Sequence, residues 1–372
     1  MSDLLRWAFD LLRHLLRTLD WPLLLALSAL MGIGLAVLYS AGGEAQGSRL
    51  MLAQGARFAV GLAAMWGLSR VSPVRLRGWT PGVFMVSLLP LALVLFIGTG
   101  RHGAHWIDLK LFYLQPSELM KISLPMMMAW YLHREPLPPS IRTVLVAGAL
   151  VCVPTALILL QPDFGTGMLV AASGIFALLL AGLPWWWVGI GVGSVAAAAP
   201  VAWIWFLRPY QKDRILTFLN PENDPLGTGW NIIQSKIAIG GGGLTGKGWG
   251  QGSQSHLNYL PEHTTDFIFA VLSEEFGWVG VAVVLALYLF VVGRCLWIAM
   301  DARDTYSRLL AGTLGLSFFV YVVVNGGMIS GVLPVVGVPM PLLSYGGTSA
   351  VSLLAGLGLV MAVRAHRPVH GY

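Results

Sequence analysis

Long apolar runs alternate with short polar connections along almost the whole of this chain. A run of roughly 20 apolar residues is long enough to cross the hydrocarbon core of a bilayer as an α-helix. The pattern therefore predicts an all-α polytopic membrane protein with ten transmembrane helices. The predicted spans are 21–40, 50–68, 83–98, 116–132, 141–160, 165–183, 185–207, 267–293, 309–328 and 348–363.

The composition favours the bilayer as the solvent for this chain. The sequence is 56% hydrophobic and 11% charged, with a mean hydropathy of +0.73, whereas a soluble domain carries about 25% charged residues. The net charge of +6 is explained by topology and by contact with anionic lipid, so we draw no nucleic-acid function from it. Cys152 and Cys295 both fall in apolar spans and offer neither a disulfide framework nor metal-ligand spacing.

The distribution of Lys and Arg orients the predicted helices. Basic residues concentrate in the connections on one side, which is the cytoplasmic side by the positive-inside rule. Both termini are predicted to lie on that side of a multi-pass membrane protein. The predicted parts are an amphipathic interfacial helix over 1–20, a membrane domain over 21–365 with a long extracytoplasmic loop at 208–266, and a cytoplasmic tail over 366–372.

Several ionisable residues stand inside or at the edge of predicted spans, where each costs several kcal/mol, of order 3, unless it is paired or hydrated. They are Arg57, Glu118, Lys121, Asp163, Asp266, Glu274 and Glu275. The predicted orientation brings the first five to the outer half of the membrane, which favours one shared hydrated site. Structural alternatives stay open, because Glu118 and Lys121 are spaced for a local ion pair. Asp163 and Asp266 are also placed to cap the helices that follow them.

Two irregular stretches separate the later spans. Residues 331–347 contain three prolines and four glycines and cannot form one continuous helix. Such backbone at membrane depth must be satisfied by protein or by water, and we expect it to line a cavity. Residues 240–252 are glycine-rich and lack acidic residues, which is typical either of a flexible linker or of backbone that approaches a polar ligand. Residues 230–239 and Trp249 favour a tract folded against the membrane surface.

Four separated motifs carry a resemblance to a known family. Residues 115–121 (QPSELMK), 161–166 (QPDFGT), 261–269 (PEHTTDFIF) and 339–347 (PMPLLSYGG) resemble the SEDS family, and residues 208–229 are most similar to its RodA branch. The likeness covers roughly residues 20–365 in the right order. His105 and Lys110 depart from the Arg and Gly that are common in the family, and both lie in the loop after the third span.

The resemblance implies a peptidoglycan glycosyltransferase that polymerises lipid II at the outer face of the cytoplasmic membrane, for cell elongation and shape. It implies ten transmembrane helices and a class B penicillin-binding protein as partner, with spans 8 and 9 as candidate contacts. Asp266 corresponds to the essential carboxylate of the family. Glu118, Lys121 and Asp163 match polar residues of the family's central cavity, and Ser344 matches the serine of its last motif.

The implied reaction joins a sugar 4-hydroxyl to the anomeric carbon of a lipid-linked strand, with inversion, and expels undecaprenyl pyrophosphate. A sugar hydroxyl is a weak nucleophile, so a carboxylate must accept its proton, and we assign this role to Asp266. The leaving pyrophosphate needs positive charge. The candidates are Arg57, Lys121, Arg208, Arg214 and a divalent cation (Mg²⁺ or Mn²⁺), although no metal-ligand spacing specifies one.

Other classes of function share these features. Buried charges and broken helices are also expected of a lipid II flippase or a secondary transporter. A noncatalytic scaffold for a penicillin-binding protein is a further alternative, and it would tolerate the loss of Asp266. Another lipid-linked sugar transferase, such as an O-antigen ligase, keeps the chemistry and changes the acceptor. The requirement for Asp266 in polymer formation separates the catalytic readings from the others.

Overall fold

A computed structural model describes residues 18–98, 106–108, 113–207, 209–220, 228–253 and 264–366 of this chain. The described part is mainly helical, and it also contains two short antiparallel strands, β1 (Ile107–Asp108) and β2 (Tyr113–Leu114). Its helices are α1 (Trp21–Ser69), α2 (Pro73–Ile97), α3 (Pro116–Leu132), α4 (Ile141–Leu160), α5 (Phe164–Leu180), α6 (Trp185–Val201), α7 (Pro209–Leu219), α8 (Thr228–Gly242), α9 (Ile268–Met300), α10 (Thr305–Ile329) and α11 (Thr348–Ala365). A π-helical turn, Ala202–Phe206, extends α6.

Polar side chains mark the start of several helices. The carboxylate of Asp20 accepts a hydrogen bond from Leu23 N at 2.9 Å at the beginning of α1. Ser72, Ser140 and Asp304 cap α2, α4 and α10 in the same way. Each cap satisfies one of the backbone N–H groups that the first helical turn leaves without a partner.

Within the described residues, seven helices are long and apolar enough to cross a membrane. They are Trp21–Gly43, Pro73–Phe96, Ile141–Leu160, Trp185–Trp205, Ile268–Met300, Thr305–Ile329 and Thr348–Ala365. The chain is therefore an all-α multi-pass membrane protein, as the hydrophobic pattern predicts. The predicted spans 50–68, 116–132 and 165–183 fall in the second half of α1, in α3 and in α5, which are not among the seven, so the count of ten stays a prediction.

The first two predicted spans form one kinked helix. Helix α1 changes direction at Gly43, where φ is 60° and ψ is −172°. Such a backbone conformation favours glycine, which has no Cβ to clash. The polar connection predicted between residues 40 and 50 is therefore helical on both sides of a kink.

Helices α9, α10 and α11 occupy the centre of the bundle, with α11 packed along α1 and α10 packed against α3 and α5. Small residues allow these close approaches, as is usual between membrane helices. A Cβ on Gly358 of α11 would lie 2.6 Å from Met65 O of α1. Helix α6 differs from the others, since none of its residues is buried.

The proline–glycine segment (residues 331–347) is not helical, as its prolines predict. Its backbone carbonyls find partners on the surrounding helices. Tyr288 of α9 donates its hydroxyl to Pro341 O at 2.6 Å, and the side-chain amide of Asn325 of α10 donates to Val338 O at 2.7 Å. Protein side chains therefore satisfy part of this irregular backbone, one of the two environments in which it is tolerated at membrane depth.

The described part of the connection predicted at 208–266 contains two helices, α7 and α8. Helix α8 packs on α9, and Ser235 Oγ donates to Ile329 O at the end of α10, at 2.8 Å. This part of the connection is thus folded on the bundle, and the predicted contact of residues 230–239 with the membrane surface stays a prediction. Residues 1–17 of the amphipathic helix predicted over 1–20 lie outside the described residues. His105, Lys110 and the tail after His366 also lie outside them.

Candidate active site

Asp266 lies in a turn over residues 264–267, immediately before α9. The N-cap of this helix is Phe267, so Asp266 is not the capping residue that the sequence allowed. The residue is half-buried, and its backbone carbonyl accepts a hydrogen bond from Asn325 Nδ2 at 2.8 Å. The next residues, Phe267 and Ile268, are fully buried. The backbone of Asp266 is therefore held by a hydrogen bond and by closely packed neighbouring residues.

The proline–glycine segment lies directly against Asp266. The fully buried amide of Asn325 ties the carbonyl of Asp266 to that of Val338 in this segment. Gly337 has a φ of 73°, and a Cβ there would lie 3.7 Å from Asp266 Oδ2. The carboxylate thus faces backbone that carries no side chain at this position.

Arg57, on the second half of α1, is held by neutral groups. Its guanidinium donates to Tyr345 Oη at 3.0 Å and to Gln54 Oε1 at 3.3 Å, and its Cζ lies 4.3 Å from the centre of the Tyr345 ring. No carboxylate in the described part of the chain pairs with it. Its positive charge is therefore fixed in place and remains available to an anion.

Tyr345 connects Arg57 with the turn that carries Asp266. Its backbone N–H donates to Thr264 O at 2.9 Å, while its hydroxyl accepts from Arg57. Tyr345 thus links the guanidinium of Arg57, through its hydroxyl, to the turn that carries Asp266, through its backbone N–H. The arrangement is suited to a reaction that removes a proton and produces an anion.

Glu118 and Lys121 form the ion pair that their spacing on α3 allows, with a separation of 2.7 Å. Ser352 of α11 donates to the second oxygen of Glu118 at 2.6 Å, and Lys121 Nζ lies 5.2 Å from the ring centre of Tyr321. Lys121, Tyr321 and Ser352 line a cavity between α3, α5, α10 and α11. The charge of Lys121 is therefore largely matched within the protein.

Asp163 caps α5, as its position predicts. Its Oδ1 accepts from Thr166 N at 3.1 Å and its Oδ2 from Gln115 Nε2 at 3.1 Å, so it also joins α5 to the start of α3. A Cβ on the neighbouring Gly165 would lie 2.5 Å from Val336 O. The start of α5 therefore touches the proline–glycine segment one residue from Gly337.

The other predicted site residues are placed less directly. Ser344 is buried, and its hydroxyl accepts a hydrogen bond from Met340 N at 2.8 Å, which closes a turn in the proline–glycine segment. Arg208 lies outside the described residues, as does the side chain of Arg214 on α7. In the described part of the chain, no three His, Cys, Asp or Glu side chains are grouped to hold a metal ion.

The structure adds residues that the sequence reasoning did not select, namely Gln54, Tyr345, Asn325 and Ser352. Gln54 precedes Arg57 by one helical turn, and Asn325 is an amide that directly follows the apolar run 318–324. Both were visible as polar residues in apolar surroundings. The sequence alone does not show which residues from other parts of the chain Gln54 and Asn325 contact.

Comparison with known proteins identifies the family of this chain. A family model described as "Cell cycle protein", which covers FtsW, RodA and SpoVE, matches residues 14–368. The peptidoglycan glycosyltransferase MrdB of Escherichia coli K12 is 47% identical over 350 residues, which cover 94% of each chain. The probable peptidoglycan glycosyltransferase FtsW of Trichlorobacter lovleyi is 38% identical over 385 residues, covering 98% of this chain and 97% of that protein.

Solved structures match over nearly the whole chain. A chain from a structure titled "Structural coordination of polymerization and crosslinking by a peptidoglycan synthase complex" has a TM-score of 0.82 and 34% identity, covering 94% of this chain and 99% of that one. The rod shape determining protein RodA of Thermus thermophilus has a TM-score of 0.70 and 29% identity, covering 92% and 96%. The resemblance to the SEDS family is thereby confirmed, and this chain belongs to the FtsW/RodA/SpoVE family of cell cycle proteins.

Proposed function

We propose that this chain, a peptidoglycan glycosyltransferase by its family, polymerises lipid II into glycan strands with Asp266 as the general base. The observation that carries the proposal is the link between the Asp266 turn and Arg57 through Tyr345. One group is suited to take a proton and the other to bind a diphosphate. Such a pair is what transfer from a diphosphate-linked sugar requires.

In the proposed step, the 4-hydroxyl oxygen of the acceptor sugar attacks the anomeric carbon of the lipid-linked strand. A new C–O bond forms on one face while the bond to the diphosphate oxygen breaks on the other, which inverts the configuration. The hydroxyl proton passes to the Asp266 carboxylate. No second carboxylic acid is needed, because the diphosphate leaves as a stable anion, unlike the leaving group of a glycoside hydrolase.

We assign Arg57 to the departing diphosphate. Its guanidinium is positioned by Gln54 and Tyr345, which leave its charge unmatched, whereas Lys121 is paired with Glu118 at 2.7 Å. Charge-assisted hydrogen bonds to a diphosphate are strong and directional for a guanidinium. Arg208 and Arg214 stay proposed contributors, as do Glu118, Lys121, Asp163 and the buried Ser344 for substrate binding.

A divalent cation, Mg²⁺ or Mn²⁺, stays part of the proposal without assigned ligands, because the described residues offer no group of three metal-binding side chains. No step above depends on it. Removal of divalent ions with EDTA and their stepwise return, with polymer yield as the readout, tests the requirement directly.

We further propose a class B penicillin-binding protein as partner, at the lipid-facing surface of α9 and α10, which correspond to predicted spans 8 and 9. The relative in the peptidoglycan synthase complex supports a partner of this kind. Helix α9 exposes Leu289, Phe290 and Trp297, and α10 exposes Phe319 and Val323. The proposed location is the cytoplasmic (inner) membrane with both termini inside, and the proposed role is cell elongation and shape.

The test is polymer formation from purified lipid II by the detergent-solubilised chain, together with its penicillin-binding partner carrying an inactivated transpeptidase. Wild type is compared with Asp266→Asn and Asp266→Ala. We expect the wild type to form long strands and both variants to lose about 10²–10⁴-fold in rate, the usual contribution of a general base. Asp301→Asn, which changes an exposed aspartate at the other end of α9, is the matched control and should retain activity.

The outcomes separate the alternatives, provided that the variants elute and melt like the wild type. Equal polymer from wild type and Asp266→Asn would overturn the role of Asp266. No polymer from the wild type in the complex would favour the flippase or scaffold readings.

A further inference from the structure

Helix α9 is broken near its start, and a glycine-rich stretch is laid across the break. At Gly277 the backbone has φ 63° and ψ −162°, so the helical hydrogen bonds are interrupted there. Residues 242–253, here called the glycine clasp, supply replacement partners, as buried backbone groups require. The hydrogen bonds are Lys247 N to Glu274 O at 3.0 Å, Gly248 N to Glu275 O at 3.0 Å, Trp278 N to Gly243 O at 2.9 Å and Val279 N to Leu244 O at 3.1 Å.

The buried carboxylate of Glu274 holds the glycine clasp in place through contacts with Lys247 and Ser253. Glu274 is fully buried, and its Oε1 accepts from Lys247 Nζ at 2.6 Å, from Ser253 Oγ at 2.9 Å and from Ser253 N at 3.0 Å. Lys247 Nζ also donates to Ser253 Oγ at 2.9 Å. Removing one partner of a buried, hydrogen-bonded ion pair is costly, because the other charge stays buried. The three residues therefore act as one anchor.

This anchor closes a loop that contains Asp266. In sequence, Asp266 lies between Ser253 and Glu274, and these two residues are in direct contact. The stretch of α9 from Ile268 to Glu274 is buried throughout. A displacement of Glu274 is therefore expected to move this stretch as a unit, together with Asp266 next to its start. The turn is also held by Asn325 Nδ2, which donates to Asp266 O, and by Tyr345 N, which donates to Thr264 O. The anchor thus holds the far end of the short buried stretch of α9 that begins next to Asp266.

We infer that Lys247 is a positioning residue, which holds Asp266 in place through its ion pair with Glu274. Lys247 acts on the protein rather than on the diphosphate, since its charge is directed to a buried carboxylate. The inference rests on the proposed role of Asp266 as general base. A displacement of about 1 Å in a catalytic group is enough to reduce the rate about 100-fold.

The first test compares Lys247→Met, which keeps the length and removes the charge, with Lys247→Arg, which keeps the charge. The probe is purified lipid II, polymerised by the full chain in complex with its penicillin-binding partner. We expect Lys247→Met to lower kcat at least about tenfold with little change in KM, and Lys247→Arg to restore most of it. Lys236→Met, which removes an exposed lysine of the neighbouring α8, is the matched control and should behave as wild type.

Amide hydrogen exchange provides a readout that does not depend on activity. In Lys247→Met, residues 264–268 should exchange faster than in wild type, because local opening becomes easier, while α10 and α11 keep their protection. Lys247→Arg should show wild-type exchange at the same amides. Unchanged exchange at 264–268 in Lys247→Met, or an unchanged kcat, would overturn the inference.

A lower kcat with unchanged exchange would mean that Lys247 acts on the substrate instead. If the wild type forms no polymer, the proposed function fails. The exchange measurement then still decides whether Lys247 holds the loop.

Discussion

Arg57 and Lys121 are both cations in the membrane domain, but their neighbours give them different roles. Lys121 lies 2.7 Å from Glu118, so most of its field is matched by a neighbouring charge. Arg57 contacts only the neutral side chains of Gln54 and Tyr345 among the described residues. An unmatched, partly buried guanidinium gains more from an anion than an ammonium that is already paired. Arg57 and Lys121 look equivalent in the sequence, but their neighbours leave only Arg57 free of a paired carboxylate among the described residues.

Replacing Arg57 by Met should reduce kcat/KM for lipid II by tenfold or more, since a hydrogen bond to a charged group contributes about 1.5–3 kcal/mol. Arg57→Lys keeps the charge but loses the two-pronged contact with Gln54 and Tyr345, and it should fall between Met and wild type. The measurement is the initial rate of strand formation over a range of lipid II concentrations. Arg49→Met, on an exposed arginine of the same helix, is the control. An activity of Arg57→Met equal to that control would contradict the assignment.

At the scale of elements, the approach of the glycine clasp to α9 depends on missing side chains. A Cβ on Gly242 would overlap the carbonyl oxygen of Ser273, and a Cβ on Gly246 would overlap that of Glu275. Gly240, in the same turn of α8 as Gly242, has open space around the position of a Cβ. The glycine clasp is therefore packed closely against α9. The flexible linker that its composition also allowed does not form in these described residues.

Gly242→Ala should separate the clasp from α9 and lower stability by roughly 1–3 kcal/mol, the usual cost of overpacking. Gly240→Ala should be neutral or stabilising by about 0.5–1 kcal/mol, because alanine favours the helix. The apparent melting temperature in detergent and the rate of proteolysis near residues 240–253 are the measurements. Equal melting temperatures for the two variants would show that the clasp does not fit α9 as closely as described.

At the scale of the whole molecule, three helices are joined at the end of the bundle remote from Asp266. The fully buried carboxylate of Asp20, at the start of α1, lies 2.9 Å from Arg294 of α9 and 2.6 Å from Arg364 of α11. Helix α9 carries the Asp266 turn at its beginning and Arg294 near its end. One helix thus connects the candidate active site with a charged junction on the predicted cytoplasmic side.

Asp20→Asn should lower the apparent melting temperature by several degrees. Asparagine still caps α1, but two guanidinium groups then remain close together without their shared carboxylate. Thermal denaturation followed by size-exclusion chromatography in detergent provides the measurement. Asp213→Asn alters an exposed aspartate of α7 and should leave the melting temperature unchanged. The same melting temperature for both variants would mean that the junction contributes little to stability.

The sequence by itself determined that the chain is an all-α membrane protein and that residues 331–347 are not helical. It also determined which ionisable residues are candidates for the chemistry. Hydropathy, helix caps, glycine and proline act over a few residues, so local patterns are enough to predict them. Tertiary structure decided which groups meet. It folded the described parts of the predicted loop 208–266 into helices α7 and α8 and the glycine clasp, and it paired Arg294, which directly follows the predicted span 267–293, with Asp20. Contacts such as Tyr345 with Thr264 join distant positions, and their geometry depends on how all the helices pack, which no local pattern encodes.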